Sequence, residues 1–215
     1  MAVDAEAQGS PSLASMTVIR ERVAANVVDA VRTTLATASE PAGEPLRGRA
    51  AVAIVLRETS EGPQVLLIRR AERAGDPWSG HMGFPGGRED ERDEDLIATA
   101  VRETREELSL DLTRVGRRLG GLPELPAVAR GRATGMVIAP FVFELTEDAP
   151  LSYKADEVSE AVWVPLEPLL HGTLRTTIAY ELSGQSTRLP AHDFEGRIVW
   201  GLTYRMLDDF FALLR

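Results

Sequence analysis

Apolar residues recur along this chain in two rhythms. Residues 50–58 (AAVAIVLRE) and 64–70 (QVLLIRR) are β-branched or apolar runs separated by a Gly-Pro turn, which predicts two strands. Further strands are predicted near 115–121, 136–144, 160–164, 174–181 and 197–200. The other rhythm is helical. Ala24, Val27, Val28, Val31 and Leu35 share one face of a helix over 17–38. A second helix is predicted from about 93 to 109, a short one over 165–172, and a last one over 202–214. Trp200, Leu202, Met206, Phe210 and Leu213 fit the inner face of that last element. Residues 39–48 carry two Pro and two Gly and read as a linker. Residues 1–15 read as flexible, being small and polar. Segments 71–87 and 123–135 read as loops. Strands and helices do not alternate regularly, which favours an α+β or sandwich arrangement over a doubly wound sheet. The division expected is a flexible start, helix and linker over 1–47, then one domain over 48–215.

Composition narrows the chemistry. Hydrophobic residues make up 44% and charged residues 27%, enough apolar content for a folded core. There is no Cys, and the three His (His81, His171, His192) are scattered. A bound metal would therefore take oxygen ligands, which points to Mg²⁺ or Mn²⁺. The net charge of −9 argues against nucleic acid and membrane surfaces as partners. It leaves open an anionic substrate, because a divalent ion inverts the local sign of an acidic site. The start of the chain lacks a basic segment followed by an apolar run. No stretch reaches the ~18 apolar residues of a membrane span. A cytoplasmic location is expected.

The informative stretch runs from Gly86-Gly87 to Leu108. Six of the seven residues from Glu89 to Asp95 are acidic. Within the helix that follows, Glu103, Glu106 and Glu107 project from one face, since positions three and four apart are neighbours. Ile97, Ala100, Val101, Thr104 and Leu108 project from roughly the opposite side. One face can pack on a sheet while the other presents three carboxylates. Clustered carboxylates repel and raise one another's pKa, and a divalent cation relieves that. Such a cation also supports phosphoryl transfer, which needs charge stabilisation and positioning. Three Glu at this spacing also occur on solvated helices, so the Gly-Gly turn and the acidic approach are what tip the balance.

The stretch from Gly87 to Leu110 resembles the Nudix box. Its pattern is Gly, five residues, Glu, seven residues, then Arg-Glu-apolar-x-Glu-Glu-x-Gly-apolar. Glu94, Arg102, Glu103, Glu106, Glu107 and Leu110 sit at matching spacing, with Gly87 one residue further upstream. Thr104 replaces an apolar residue and Ser109 the late Gly. The resemblance implies Glu103, Glu106 and Glu107 as metal ligands, joined by the Gly87 carbonyl. It implies Glu94 and Arg102 as braces of loop and helix. The fold it implies is an α/β/α sandwich with a mixed sheet, here with an N-terminal helical appendage.

A narrower resemblance concerns substrate. Leu66-Leu67, Arg70, Gly80 and Phe84-Pro85-Gly86-Gly87 look like the segment preceding the box in the coenzyme A diphosphatase branch. Asp156-Glu157-Val158-Ser159, Val164-Pro165-Leu166 and Val199-Trp200-Gly201-Leu202-Thr203 resemble the same branch. This implies a small-molecule diphosphate substrate, coenzyme A or a derivative, cleaved to 3′,5′-ADP and 4′-phosphopantetheine. The alternatives are nucleoside diphosphate sugars or ADP-ribose, and a non-catalytic binding module. Arg69, Arg70, Arg73, His81 and Phe84 are the substrate-binding candidates, and Glu103 or Glu157 the candidate base. Asp76 stands where the branch carries a basic residue, and would repel a 3′-phosphate unless a cation intervened. A homodimer stays open.

Overall fold

The computed structural model describes residues 15–22, 48–76, 78–129, 131–182 and 185–215. Most of the segment expected to be flexible (1–15), most of the helix expected over 17–38 and most of the expected linker (39–48) lie outside these residues. Helical residues 16–22 (α1) are described. They lie on the domain, with Met16 and Ile19 buried in its core.

Three long strands form the centre: β1 (Gly48–Arg57), β2 (Gln64–Arg70) and β7 (Arg132–Leu145). β1 runs parallel to β7, and the other pairings in this eight-stranded sheet are antiparallel. The sheet is therefore mixed. Its central strands are apolar on both faces because both are covered. Along β1, Ala50, Ile54 and Leu56 enter one core, while Ala51, Ala53 and Val55 enter the other. Side chains alternate sides along a strand, so a continuous apolar run is what two-sided burial requires.

The second of these cores lies under α2 (Leu96–Leu108) and α3 (Leu112–Val115). Here β1 and β7 present Ala51, Ala53 and Ala139, small residues that leave room for a helix. The first core lies under α1, α4 (Leu166–Leu170) and α5 (Gly201–Leu214). Phe210, Phe211, Leu207 and Leu214 of α5 are fully buried there. The architecture is the expected α+β sandwich of a mixed sheet between helices.

Three expectations need correction. Segment 123–135 is mostly a hairpin rather than a loop: β6 (Leu125–Ala129) pairs back onto the first half of β7. Segment 71–87 contains two short strands, β3 (Met82–Gly83) and β4 (Gly86–Arg88). A second, three-stranded sheet is formed by β9 (Arg175–Leu182), β10 (Gln185–Phe194) and β11 (Arg197–Trp200). The apolar pattern does not predict β10, which is polar and holds Pro190, a residue rare in central strands. It is tolerated because β11 reaches only as far as Ala191. The remaining strands are β5 (Gly116–Gly121) and β8 (Val158–Pro165), at two margins of the large sheet. Among the described residues, no helix is long and apolar enough to cross a membrane.

Candidate active site

The site forms where β1 and β2 part. β1 pairs with β2 only at Leu56 and Arg57, and its first half pairs with β4 instead. The chain between β2 and α2 is thus wedged into the sheet beneath the helix. The Ala53 N–H donates to the Pro85 carbonyl at 2.9 Å, fixing the turn. A Cβ on Gly86 would fall 2.3 Å from the Ala51 carbonyl oxygen and 2.6 Å from Val52 Cα, and its φ is +150°. Only glycine fits such an approach.

α2 starts at Asp95, whose carboxylate accepts from the Ala98 N–H at 2.8 Å. It ends at Ser109, which holds the left-handed conformation (φ 57°) where glycine is usual. Thr104 is buried and donates its hydroxyl to the Ala100 carbonyl at 2.7 Å, so it fits an apolar position.

The three glutamates differ in setting. Glu107 is 9% exposed and accepts from the Gly86 N–H at 2.9 Å. Glu103 is 19% exposed, and a Cβ on Gly87 would lie 2.5 Å from its carboxyl carbon. Glu106 is 53% exposed. Burial pushes Glu107 up to about 7, against the Gly86 N–H and Arg70; repulsion from Glu103 and Glu157 adds to the rise. Burial also raises Glu103, with Arg102 opposing it.

Arg102 organises this face. Its guanidinium donates twice to Asp93 (2.9 Å each), and to Glu103 (2.8 Å), Glu106 (3.2 Å) and the Arg88 carbonyl (2.9 Å). Its acidic partner is Asp93, and Glu94 is exposed. The sequence spacing admits both acids. Five residues counted forward from Gly87 lead to Asp93, whereas seven counted back from Arg102 lead to Glu94. The extra residue therefore falls after the bracing acid. Arg102 holds Asp93 well below the usual carboxylate range.

The geometry separates the other candidates. Arg70 lies near enough to Glu107 to favour its charged form. One of its terminal nitrogens donates to Asp76 at 3.0 Å, and its Nε is buried without a hydrogen-bond partner. Asp76 also caps the Trp78 N–H at 3.0 Å. Burial works against the Asp76 charge, but the Trp78 N–H and Arg70 outweigh it and hold the pKa below its ordinary value. Glu157 is partly buried and close enough to repel Glu107. Its carbonyl accepts from the Ala71 N–H, tying its loop to the end of β2. His81 is half-buried, with its ring 4.8 Å from Trp200, and burial lowers its pKa.

Three candidates are placed otherwise. Phe84 is 5% exposed within the core shared with α5, so it is a packing residue rather than a substrate contact. Arg69 is the cross-strand neighbour of Glu160 and shares that carboxylate with Arg197 of the second sheet. Arg73 is exposed and donates to the Asp156 carbonyl at 2.7 and 3.0 Å.

Among the described residues, no three acids converge closely enough to define a metal site. Glu103 and Glu106 are drawn to Arg102, and Glu107 to the Gly86 N–H. The donor set still fits a hard divalent cation. It is all oxygen, and two of its carboxylates are raised by burial, so the site favours added positive charge.

A mixed sheet between helices, with a glutamate-bearing helix laid over a Gly-Gly turn, is the layout of a Nudix domain. The NUDIX domain model matches residues 46–182, and the chain belongs to the Nudix hydrolase family. Members of that family generally work with divalent metal ions. The chain is 31% identical over 160 residues to the Nudix hydrolase NudL of Shigella flexneri, covering 74% of this chain and 80% of NudL. It is 34% identical over 159 residues to the Schizosaccharomyces pombe protein C14C4.10c, covering 66% of this chain but only 48% of that protein. Among solved structures, a MutT/nudix family protein from Enterococcus faecalis superposes with a TM-score of 0.51 at 16% identity. That match covers 94% of this chain and 75% of the other, and shows the shared fold.

Proposed function

We propose that this chain hydrolyses the diphosphate of coenzyme A or its derivatives, releasing 3′,5′-ADP and 4′-phosphopantetheine. One observation carries the reading. The segments that resemble the coenzyme A branch run from β2 (Leu66, Leu67, Arg70) to Gly86-Gly87, and the end of that stretch is the turn the fold wedges under the carboxylate helix. The pairing of Asp76 with Arg70 supports it too, because it removes the acidic charge that would repel a 3′-phosphate.

Glu103, Glu106 and Glu107, with the Gly87 carbonyl, would hold Mg²⁺ or Mn²⁺. A divalent ion bound there supplies a polarised phosphoryl oxygen, an activated water and neutralisation of the leaving phosphate. The protein's own part is positioning. Asp93 and Arg102 hold the helix against the β4 loop, and the Gly86 N–H fixes the Glu107 carboxylate. Arg70 offers its partly satisfied guanidinium to a substrate phosphate. Glu103 or Glu157 takes the proton of the attacking water, and burial raises Glu103 in the direction that suits a base.

The test is a hydrolysis panel of coenzyme A, dephospho-coenzyme A and ADP-ribose with Mg²⁺ or Mn²⁺, with and without chelator. Coenzyme A is expected to be the best substrate, with turnover lost in chelator and in Glu106→Gln. Preference for ADP-ribose or a sugar nucleotide would replace the substrate assignment. No turnover on any would leave a binding module.

A further inference from the structure

Among the described residues, the second sheet ends in an unpaired edge. Among the described residues β9 pairs as a strand only with β10, and the sheet order is β11-β10-β9. Sheet edges in folded proteins are usually blunted by Lys, Pro, bulges or charges along the strand. β5, at a margin of the large sheet, follows that rule, with Arg117, Arg118 and a register shift between Arg118 and Gly120. β9 does not. Its centre, Thr176 to Tyr180, carries no charge and no proline, and Thr176, Thr177 and Ala179 are exposed.

The register with β10 shows which backbone groups face outward. Thr177 lies opposite Pro190. Proline has no N–H, so that pair cannot exchange both ladder hydrogen bonds. Thr177 therefore directs its N–H and C=O away from β10. With a period of two, Arg175, Ala179 and Glu181 do the same. Each molecule thus offers three residues, Thr177, Ala179 and Glu181, whose backbone donors and acceptors both point at the edge, together with the Arg175 carbonyl; the Arg175 N–H already donates to the Gly172 carbonyl at 3.1 Å.

We propose that β9 pairs antiparallel with β9 of a second copy of this chain, about a two-fold axis at Ile178. In that register the outward-facing residues meet one another: Arg175 opposite Glu181, Thr177 opposite Ala179, and their symmetry mates. Shifting the axis to Thr177 or Ala179 leaves at least one outward-facing residue of β9 without a partner on the other β9. Charge complementarity selects the same register. Arg175 and Glu181, both exposed, stand as opposite charges across the strands at both ends of the ladder. Ile178 faces its own copy. The result is a six-stranded sheet with an isologous interface and no free β9 edge.

Sedimentation of the full chain over a concentration series tests this. A concentration-dependent shift towards twice 23.4 kDa is expected. Ala179→Pro removes an outward N–H that β10 does not use, and is expected to weaken dimerisation at least about tenfold. Arg175→Glu and Glu181→Arg singly place like charges at both ends, and each is expected to weaken it about tenfold. The double swap restores the pairs and is expected to return within about threefold of wild type. A wild-type chain that stays monomeric at every concentration overturns the proposal. So does a folded, hydrolytically active Ala179→Pro protein that remains dimeric. If the proline variant fails to fold, the charge swap decides alone: singles without effect, or a double swap no better than the singles, also overturn it.

Discussion

Replacing Arg102 with Met keeps the length of the side chain and removes its charge. Asp93 then loses two hydrogen bonds of 2.9 Å while only 5% of its side chain is exposed. Breaking a buried ion pair from one side costs about 3–5 kcal/mol. Asp93 still accepts from the Thr99 hydroxyl (2.8 Å) and the Asp90 N–H (3.0 Å), which argues for the lower end, about 3 kcal/mol. For a chain of this size that corresponds to a Tm lower by roughly 6–12 °C. The pH dependence has a fixed sign. Arg102 holds Asp93 below its ordinary value of 3.8, so the pair stabilises the fold above that pH and stops doing so as pH falls through the folded-state pKa. The gap between wild type and Arg102→Met should therefore be full at pH 7 and shrink below pH 4. Urea unfolding at several pH values measures it. Asp93→Asn in the Arg102→Met background should recover part of the loss, because no unpaired charge remains, whereas Glu94→Gln should stay within about 0.5 kcal/mol of wild type. A gap under about 1 kcal/mol at pH 7, or a larger effect of Glu94→Gln than of Asp93→Asn, would refute the account of the brace.

Other expectations follow from the same helix. Glu107 is raised from 4.5 to about 7, so its ionisation destabilises the fold as pH rises through that window, by about 3 kcal/mol at full extent. In chelator, Glu107→Gln should flatten that fall between pH 5 and 8, and with Mg²⁺ or Mn²⁺ present it should abolish hydrolysis; an unchanged pH slope in urea unfolding would count against it. Ser109→Gly relieves a left-handed non-glycine residue and should stabilise by about 0.5–1 kcal/mol; a loss of stability would show that Ser109 makes a compensating contact. Gly86→Ala drives a Cβ into the β1 backbone and should lower stability by several kcal/mol, roughly the range of severe overpacking. Gly87→Ala meets first the Glu103 carboxyl, the end of a flexible side chain, and should reduce activity far more than stability. Equal effects of the two on Tm would contradict the wedge.

The amino-acid sequence determined by itself whatever depends on local pattern. The two-sided burial of β1 and β2 is legible as unbroken apolar runs, and α2 as a helix with carboxylates on one side. Gly86 and Gly87 are legible as positions where backbone and carboxylate must come close. Tertiary structure decided what depends on partners distant in the chain. Whether an arginine on β2 faces substrate or a salt bridge turns on Glu160 and Arg197 for Arg69, and on Asp76 for Arg70. Phe84 reads as a loop aromatic until α5 folds over it. β10 is invisible to propensity because its stability comes from two flanking strands that tolerate Pro190. Even the choice between Asp93 and Glu94, adjacent and equally acidic, fell to which one the turn of the chain placed within reach of a guanidinium. Periodicity records which face of an element is buried, but a hydrogen bond between residues far apart in sequence exists only once the sheet has brought them together.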